Sequence, residues 1–298
     1  EHLTPKARLD LFACTECGRC SARCPATLTG RALSPKAVIV ALRDQLRAWP
    51  ATAARAPSVL DLVPSVISPD ALWACTTCRA CEEECPVTIE VVDKLVGLRR
   101  HLLTVRGEAV PPELGRALAA LERTGSPYGL PASERAAWAE GLGIPTLAER
   151  PDAEVLFWVG CAAAFDPRAR RIARATAALL RAARVDFGIL GAEERCTGDI
   201  ARRAGHEALF LTLAEQNRAT LARYAAAGGV RRIITGCPHC HHTLCHEYPD
   251  LGARYPVVHT SELLAELVAA GRLTPRRPVP ERVVVHDACY LARYAGDV

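Results

Sequence analysis

CTTCRACEEECP, residues 75–86, sets four cysteines in one short run and closes it with a proline. CTECGRCSARCP, residues 14–25, repeats the arrangement earlier in the chain. Both read C-x2-C-x2-C-x3-C-P. A 4Fe–4S cube has four iron corners, each taking one thiolate. Three cysteines at three-residue intervals let one tight backbone loop wrap a face of the cube. The small or flexible Thr15, Gly18 and Ala80 leave room for that approach. The fourth cysteine points away from the loop, and Pro25 and Pro86 fix the backbone there. In two-cluster ferredoxins the fourth cysteine of each run ligates the other run's cluster. The expected sets are therefore Cys14, Cys17, Cys20 and Cys85 for one 4Fe–4S cluster, and Cys75, Cys78, Cys81 and Cys24 for a second. Structural zinc prefers two separated cysteine pairs. Fifty residues divide Cys24 from Cys75 and read as helical, so the expectation is the helical ferredoxin variant found in iron–sulfur subunits of respiratory dehydrogenases.

The chain has 298 residues, half of them apolar, which supports a buried core and more than one domain. Its 37 basic and 33 acidic residues nearly balance, which argues against a nucleic-acid surface. The fourteen cysteines are clustered and too sparse for a disulfide scaffold, which suits metal binding in a reducing cytosol. The apolar stretch 155–165 falls short of the roughly 18 residues of a membrane span. No signal peptide opens the sequence. The Glu1 start and the lack of methionine lead us to expect a piece of a longer protein, cytoplasmic or held on the cytoplasmic face of the membrane through a preceding segment.

Residues 1–150 read as helical. Ser34 and Pro35 open a helix carrying Val38, Leu42 and Leu46 at helical spacing. Residues 89–103 repeat the pattern, 52–72 read as a proline-rich connector, and 125–135 as a loop before a short helix. From about 150 onward, apolar runs at 153–159, 185–190, 231–236, 255–260 and 282–287 read as strands of a parallel sheet. A helix running through Ile172, Ala175, Leu179 and Leu180 and a long helix over 200–229 lie between them. The fold class expected is α+β and multidomain: a helical two-cluster ferredoxin domain over 1–150, an α/β parallel-sheet cysteine-rich domain over 151–275, and the start of a second such domain over 276–298.

Cys161, Cys196, Cys237 and Cys240 each fall just past a predicted strand, as does Cys289. Loops following the strands of a parallel sheet share one edge, where ligands bind. The first four thiols are thus a candidate third site, and Cys289 the start of a further one. Cys245 lies in a helix beyond the set and reads as packing. His239, His241 and His242 flank Cys240, where they can ligate metal or carry a proton, and a solvent-facing helix start explains them equally. His286 and Asp287 orient the Cys289 site or cap a turn. The arginines of 98–102 and 168–171 read as solvated helix faces, and Glu82, Glu83 and Glu84 as groups that tune a cluster or face a partner.

LFACTECGRCSARCPA (11–26), WACTTCRACEEECPVTIEVVDKLVGLRRHL (73–102), WVGCAAAFDPRARR (158–171), ERCTGD (194–199), TGCPHC (235–240) and HDACYLARY (286–294) together resemble the iron–sulfur oxidoreductases related to the heterodisulfide reductase catalytic subunit. That group includes the glycolate oxidase iron–sulfur subunit and membrane-bound proteins passing electrons from electron-transfer flavoprotein to menaquinone. The resemblance implies a cysteine-rich domain, occurring twice, whose Cys-Cys-Gly and C-x-x-C motifs hold an unusual cluster through five thiolates. Here Cys-Cys-Gly reads Cys196-Thr197-Gly198, and threonine is a poor replacement for a soft sulfur ligand. Four cysteines remain, enough for a conventional iron–sulfur cluster, for zinc or for a relic site.

The function expected is relay of single electrons between a flavoprotein donor, electron-transfer flavoprotein or a flavin dehydrogenase, and a quinone, membrane-subunit or disulfide-type acceptor. The alternatives are a thiol–disulfide reductase like the heterodisulfide enzymes, and a non-redox zinc-bound scaffold. No catalytic residue stands out, and neither a strand-borne GxGxxG nor a P-loop marks a nucleotide site.

Overall fold

The computed structural model describes residues 3–48, 62–106 and 110–294. It comprises two units, residues 1–112 with 201–207 and 292–298, and residues 113–200 with 208–291. The division therefore falls at 112/113 rather than at 150. Residues 113–150 pack with the sheet: Trp138 shares a core with Phe157 and Phe187, and the Cys196 N–H donates to the Gly125 carbonyl at 2.8 Å.

The first unit is helical: α1 (Pro5–Ala13), α2 (Arg19–Ala22), α3 (Pro25–Leu28), α4 (Pro35–Ala48), α5 (Pro69–Trp73), α6 (Ala80–Glu83) and α7 (Val91–His101). Thr4 and Ser68 cap α1 and α5, accepting from Ala7 and Ala71 at 3.1 Å each, with proline in the first turn. Ser34 does the same for α4 through the Ala37 N–H. The helical reading of this region holds. The connector expected over 52–72 is described from Leu62 onward, where it turns and then forms α5, and its earlier part lies outside the described residues.

Leu11, Leu42, Leu72, Val92, Leu95 and Leu98 make the core between these helices. A buried ion pair pins α1 to α7: Lys94 Nζ donates to Asp10 at 2.6 Å and to the Glu90 carbonyl at 2.9 Å. Burial alone would raise the Asp10 carboxyl, but hydrogen bonds from Lys94 and Lys6 hold it below the ordinary range. Arg99 is buried too, against the expectation of a solvated face, because three carbonyls and the Trp73 ring take up its guanidinium.

In the second unit, α8 (Pro112–Thr124) and a 3-10 segment (Ala132–Ala139) precede β1 (Val155–Trp158), α9 (Gly160–Phe165), α10 (Pro167–Ala182) and β2 (Phe187–Gly188). Then come α11 (Asp199–Ala204), α12 (Glu207–Ala226), β3 (Arg232–Thr235), α13 (Pro238–His242), β4 (Val257–His259), α14 (Thr260–Ala269) and α15 (Cys289–Ala292). The four strands pair in parallel in the order β2-β1-β3-β4, with Leu156 opposite Gly188 and Ile233. Leu156, Trp158, Ile233 and Ile234 are fully buried, as strands covered on both faces require.

Three expectations change. The long helix over 200–229 breaks at Gly205, whose φ of +87° ends α11. A Cβ there would stand 2.3 Å from the Arg100 nitrogen, so only glycine fits. The inward face of α10 is Ala173, Thr176, Ala177 and Leu180, while Ile172 and Leu179 are exposed, because alanines let the helix seat closely on the sheet. Residues 282–287 form no strand: Val283, Val284 and Val285 lie open to solvent, so the second cysteine-rich domain expected over 276–298 is not begun as a sheet. A strand needs a neighbour for its ladder, and β propensity alone does not supply one.

Candidate functional site

The two four-cysteine runs take the same backbone path. Glu16 and Gly18 in the first, and Thr77 and Arg79 in the second, all adopt positive φ, between 55° and 80°. These are matching positions in the two runs, one before and one after the second cysteine. Three of the four are not glycine and carry the steric cost of that region, of order 1–2 kcal/mol each. The left-handed residues curl each loop around a point and lead into a short helix, α2 or α6, that carries the third cysteine. α2 and α6 pack against each other, which makes the loops near neighbours.

Two cavities result. The first is lined by Cys14, Cys17, Cys20 and Cys85, and by Cys81 as well. The second is lined by Cys75, Cys78, Cys81 and Cys24. Each thus brings three thiols of one run together with the last thiol of the other. Backbone N–H groups point at sulfur, from Thr77 to Cys75 and from Ile89 to Cys85, both at 3.4 Å. Ile39 and Val91 supply apolar walls. Soft sulfur donors from two loops, N–H donors and apolar walls fit a 4Fe–4S group in each cavity.

The electrostatics of the two cavities differ. Cys17 is exposed, and the Arg19 backbone N–H pulls its thiol below the ordinary range. Burial pushes the Cys20, Cys75 and Cys81 thiols up; for Cys81, Glu82 and the sulfurs of Cys75, Cys78 and Cys24 add to the effect. The Thr77 N–H and the Arg99 guanidinium work against the rise at Cys75. Glu82 is largely buried and accepts from the Val92 N–H at 2.7 Å, while Glu83 is exposed.

At the sheet, the chain goes from β1 to β2 on one side and then to β3 on the other. The switch point of this topology lies between β1 and β3, where open α/β sheets bind ligands. Cys161 follows β1, and Cys237 and Cys240 follow β3. Cys196, in the loop after β2, meets them there. The Cys161 and Cys196 thiols are within hydrogen-bonding reach of each other, as are Cys237 and Cys240. Gly160, at φ +79°, leaves space in which a Cβ would stand 3.6 Å from Cys240 Sγ. Thr197, in the place of the absent cysteine, donates its hydroxyl to Cys240 Sγ at 3.8 Å.

Behind these thiols lies a buried ion pair the sequence did not reveal. Arg135 donates to Glu194 at 2.7 Å, and both its terminal nitrogens stand 3.6 Å from Cys161 Sγ. Glu194 also accepts from the N–H groups of Val159 and Gly160, fixing the turn that delivers Cys161. The bond from Cys196 and the Arg135 charge bring the Cys161 thiol down to about 7. Its neighbour Cys240 and nearby N–H groups bring Cys237 down to about 6. Asn217 and Tyr248 hold the loop from the other side, donating to the carbonyls of Cys196 at 3.0 Å and Thr197 at 3.1 Å.

Cys289 opens α15, whose Tyr290 ring stacks on His239 at 4.0 Å. His239 also pairs with Asp199 at 2.9 Å. His241 and His242 are buried rather than solvent-facing, since α13 runs on into a packed π turn. Cys245 packs, donating to the Val257 carbonyl at 3.6 Å. Among the described residues, no three His, Cys, Asp or Glu side chains converge closely enough to hold a single metal ion. None of the described helices is long and apolar enough to cross a membrane.

Two family models match the chain, a 4Fe-4S dicluster domain over residues 13–89 and a cysteine-rich CCG domain over 155–245. A probable iron-sulfur-binding oxidoreductase, FadF, of Bacillus subtilis is 41% identical over 326 aligned positions, covering 96% of this chain and 46% of that protein. An EtfAB:quinone oxidoreductase of Syntrophomonas wolfei is 37% identical, covering 98% and 44%. A dihydromethanophenazine:CoB–CoM heterodisulfide reductase subunit of Methanosarcina barkeri is 26% identical, covering 99% and 72%. The chain spans about half the length of the first two. No solved structure matches.

Proposed function

Because the chain is a relative of the heterodisulfide reductase-type iron–sulfur oxidoreductases, with a 4Fe–4S dicluster domain followed by a cysteine-rich CCG domain, we propose that it relays single electrons between a flavoprotein donor and a quinone or disulfide-type acceptor. The observation that carries this reading is the pair of thiol-lined cavities, each closed by the last cysteine of the opposite run. Cys14, Cys17, Cys20 and Cys85 would hold one cluster, and Cys75, Cys78, Cys81 and Cys24 the other. When bound, a 4Fe–4S group takes up and gives back one electron at a time, which suits the division of a flavin's two. The residues of this chain do the rest. The left-handed residues curl each loop around its cavity. The N–H groups of Thr77 and Ile89 stabilise sulfur charge. Ile39 and Val91 keep water from the cavity walls.

The relative named for EtfAB and quinone motivates electron-transfer flavoprotein as donor and quinone as acceptor. Anaerobically reconstituted chain is expected to carry about eight iron and eight acid-labile sulfide from these loops alone. Iron near four, or zinc in its place, would reject the reading.

A second reading, thiol–disulfide chemistry at the sheet edge, draws on the lowered thiols of Cys161 and Cys237 and on the heterodisulfide relative. Two electrons and two protons convert a disulfide to two thiols. Turnover of a disulfide with reduced viologen, lost on Cys237→Ala, is its test.

A further inference from the structure

We propose that Arg293 and Tyr294 are positioning residues for the second four-cysteine loop, clasping it from outside and raising the reduction potential of the group it holds. The inference deepens the two-cluster reading and rests on it. Residues 292–294 belong to the first unit. The Tyr294 hydroxyl donates to the Thr77 carbonyl at 2.6 Å. Arg293 NH1 donates to the Cys78 carbonyl at 3.4 Å, and its Nε to Glu83 at 2.7 Å. The Arg79 guanidinium lies over the Tyr294 ring, 3.9 Å from its centre. Two adjacent residues thus grip three consecutive ones, Thr77, Cys78 and Arg79, with Glu83 of α6 as a fourth hold.

The grip falls where the loop is most strained. Thr77 and Arg79 are the second run's two residues at positive φ, and neither is glycine. In the first run the residue matching Thr77 is Glu16, which Arg43 of α4 binds through its side chain at 2.7 Å. The residue matching Arg79 is Gly18, which needs no support. The clasp therefore acts on one loop of an otherwise matched pair.

The sign of its effect follows from charge. Reduction adds one negative charge inside the loop. The Tyr294 hydroxyl turns the positive end of its O–H dipole toward the Thr77 carbonyl and offsets the negative end of that peptide dipole beside the charge being added. The Arg293 guanidinium adds positive charge nearby and offsets Glu83. Both favour the reduced state, and removing either lowers the potential. By sequence alone, 276–298 read as the start of a second cysteine-rich domain; these contacts give Arg293 and Tyr294 a task in the first unit.

The test is an EPR-monitored redox titration of the iron-loaded chain, with iron counted on the same sample and the two signals assigned through Cys17→Ser and Cys78→Ser. Tyr294→Phe and Arg293→Gln should each lower the second loop's one-electron equilibrium constant about three- to tenfold, tenfold being about 59 mV. Arg293→Lys should recover part of the loss, and the first loop's signal should stay in place. An unmoved second signal, or an equal shift of both, with about eight iron present, overturns the clasp and leaves the relay standing. Iron near four in the unmodified chain overturns both. If Arg293→Gln fails to load iron, Tyr294→Phe, which removes one oxygen atom, decides alone.

Discussion

The paired loops of the first unit and the sheet-edge thiols of the second gather sulfur in opposite ways. In the loops, three thiols arrive from one stretch of seven residues, and the backbone's own left-handed turns shape the cavity. At the sheet edge, four thiols come from three loops that are distant in sequence, and only the strand order β2-β1-β3 brings them together. Each unit also buries an ion pair, but with different work to do. Lys94–Asp10 joins two helices. Arg135–Glu194 stands against Cys161 and holds the turn that presents it. The locally encoded loops leave their unit's buried charges to scaffolding, whereas at the sheet edge they hold the turn that presents a thiol.

The largest effect would come from breaking the exchange of fourth cysteines. Cys24→Ala is expected to halve the iron, from about eight to about four, by emptying the cavity of the other run. The partner is identified by combination. Adding Cys75→Ala should remove no further iron, because both changes strike one cluster. Adding Cys14→Ala should take the rest. The reverse pattern would mean that each run keeps its own fourth cysteine.

Next in size is the ion pair at the sheet edge. Glu194→Gln leaves the Arg135 charge buried without its carboxylate, which should cost about 3–5 kcal/mol. Urea unfolding followed by tryptophan fluorescence reads it, since Trp138 and Trp158 are both buried in that unit. Adding Arg135→Met removes the stranded charge and should recover much of the loss. A small effect of Glu194→Gln alone would mean that the pair is not shielded from water.

What the sequence disclosed follows the same division. The two loops were legible because their cysteines are nearly contiguous and share one spacing. The four strands were legible because each lies in a short stretch with apolar residues side by side or nearly so, unbroken only in β1. Convergence of Cys161, Cys196, Cys237 and Cys240 was legible from one rule about strand ends. Arg135 and Glu194 were not, since 59 positions separate them and nothing in either neighbourhood marks a partner. Arg99 was misread because a charged residue on a helix ordinarily faces water, and here carbonyls from distant segments surround it. The break at Gly205 was hidden because helical apolar spacing continues on both sides of it. Residues 282–287 have strand composition and no ladder, a reminder that pairing is decided elsewhere in the chain.

The smallest expected effect concerns the phase of α10. Apolar spacing traced this helix through Ile172, Ala175, Leu179 and Leu180. The structure buries Leu180 as expected, but with Ala173 and Ala177 beside it in place of Ile172 and Leu179. Hydrophobicity scales reward bulk, but a helix lying close on a sheet selects for the absence of bulk. Ile172→Lys should therefore change stability by no more than about 0.5 kcal/mol. Ala177→Leu, which adds three carbons to a filled interface, should cost about 1–3 kcal/mol. Thermal unfolding of the two variants side by side would sharpen the comparison. If Ile172→Lys were the more damaging, the helix would sit rotated from its position here, and the larger side chains would be the ones that meet the sheet.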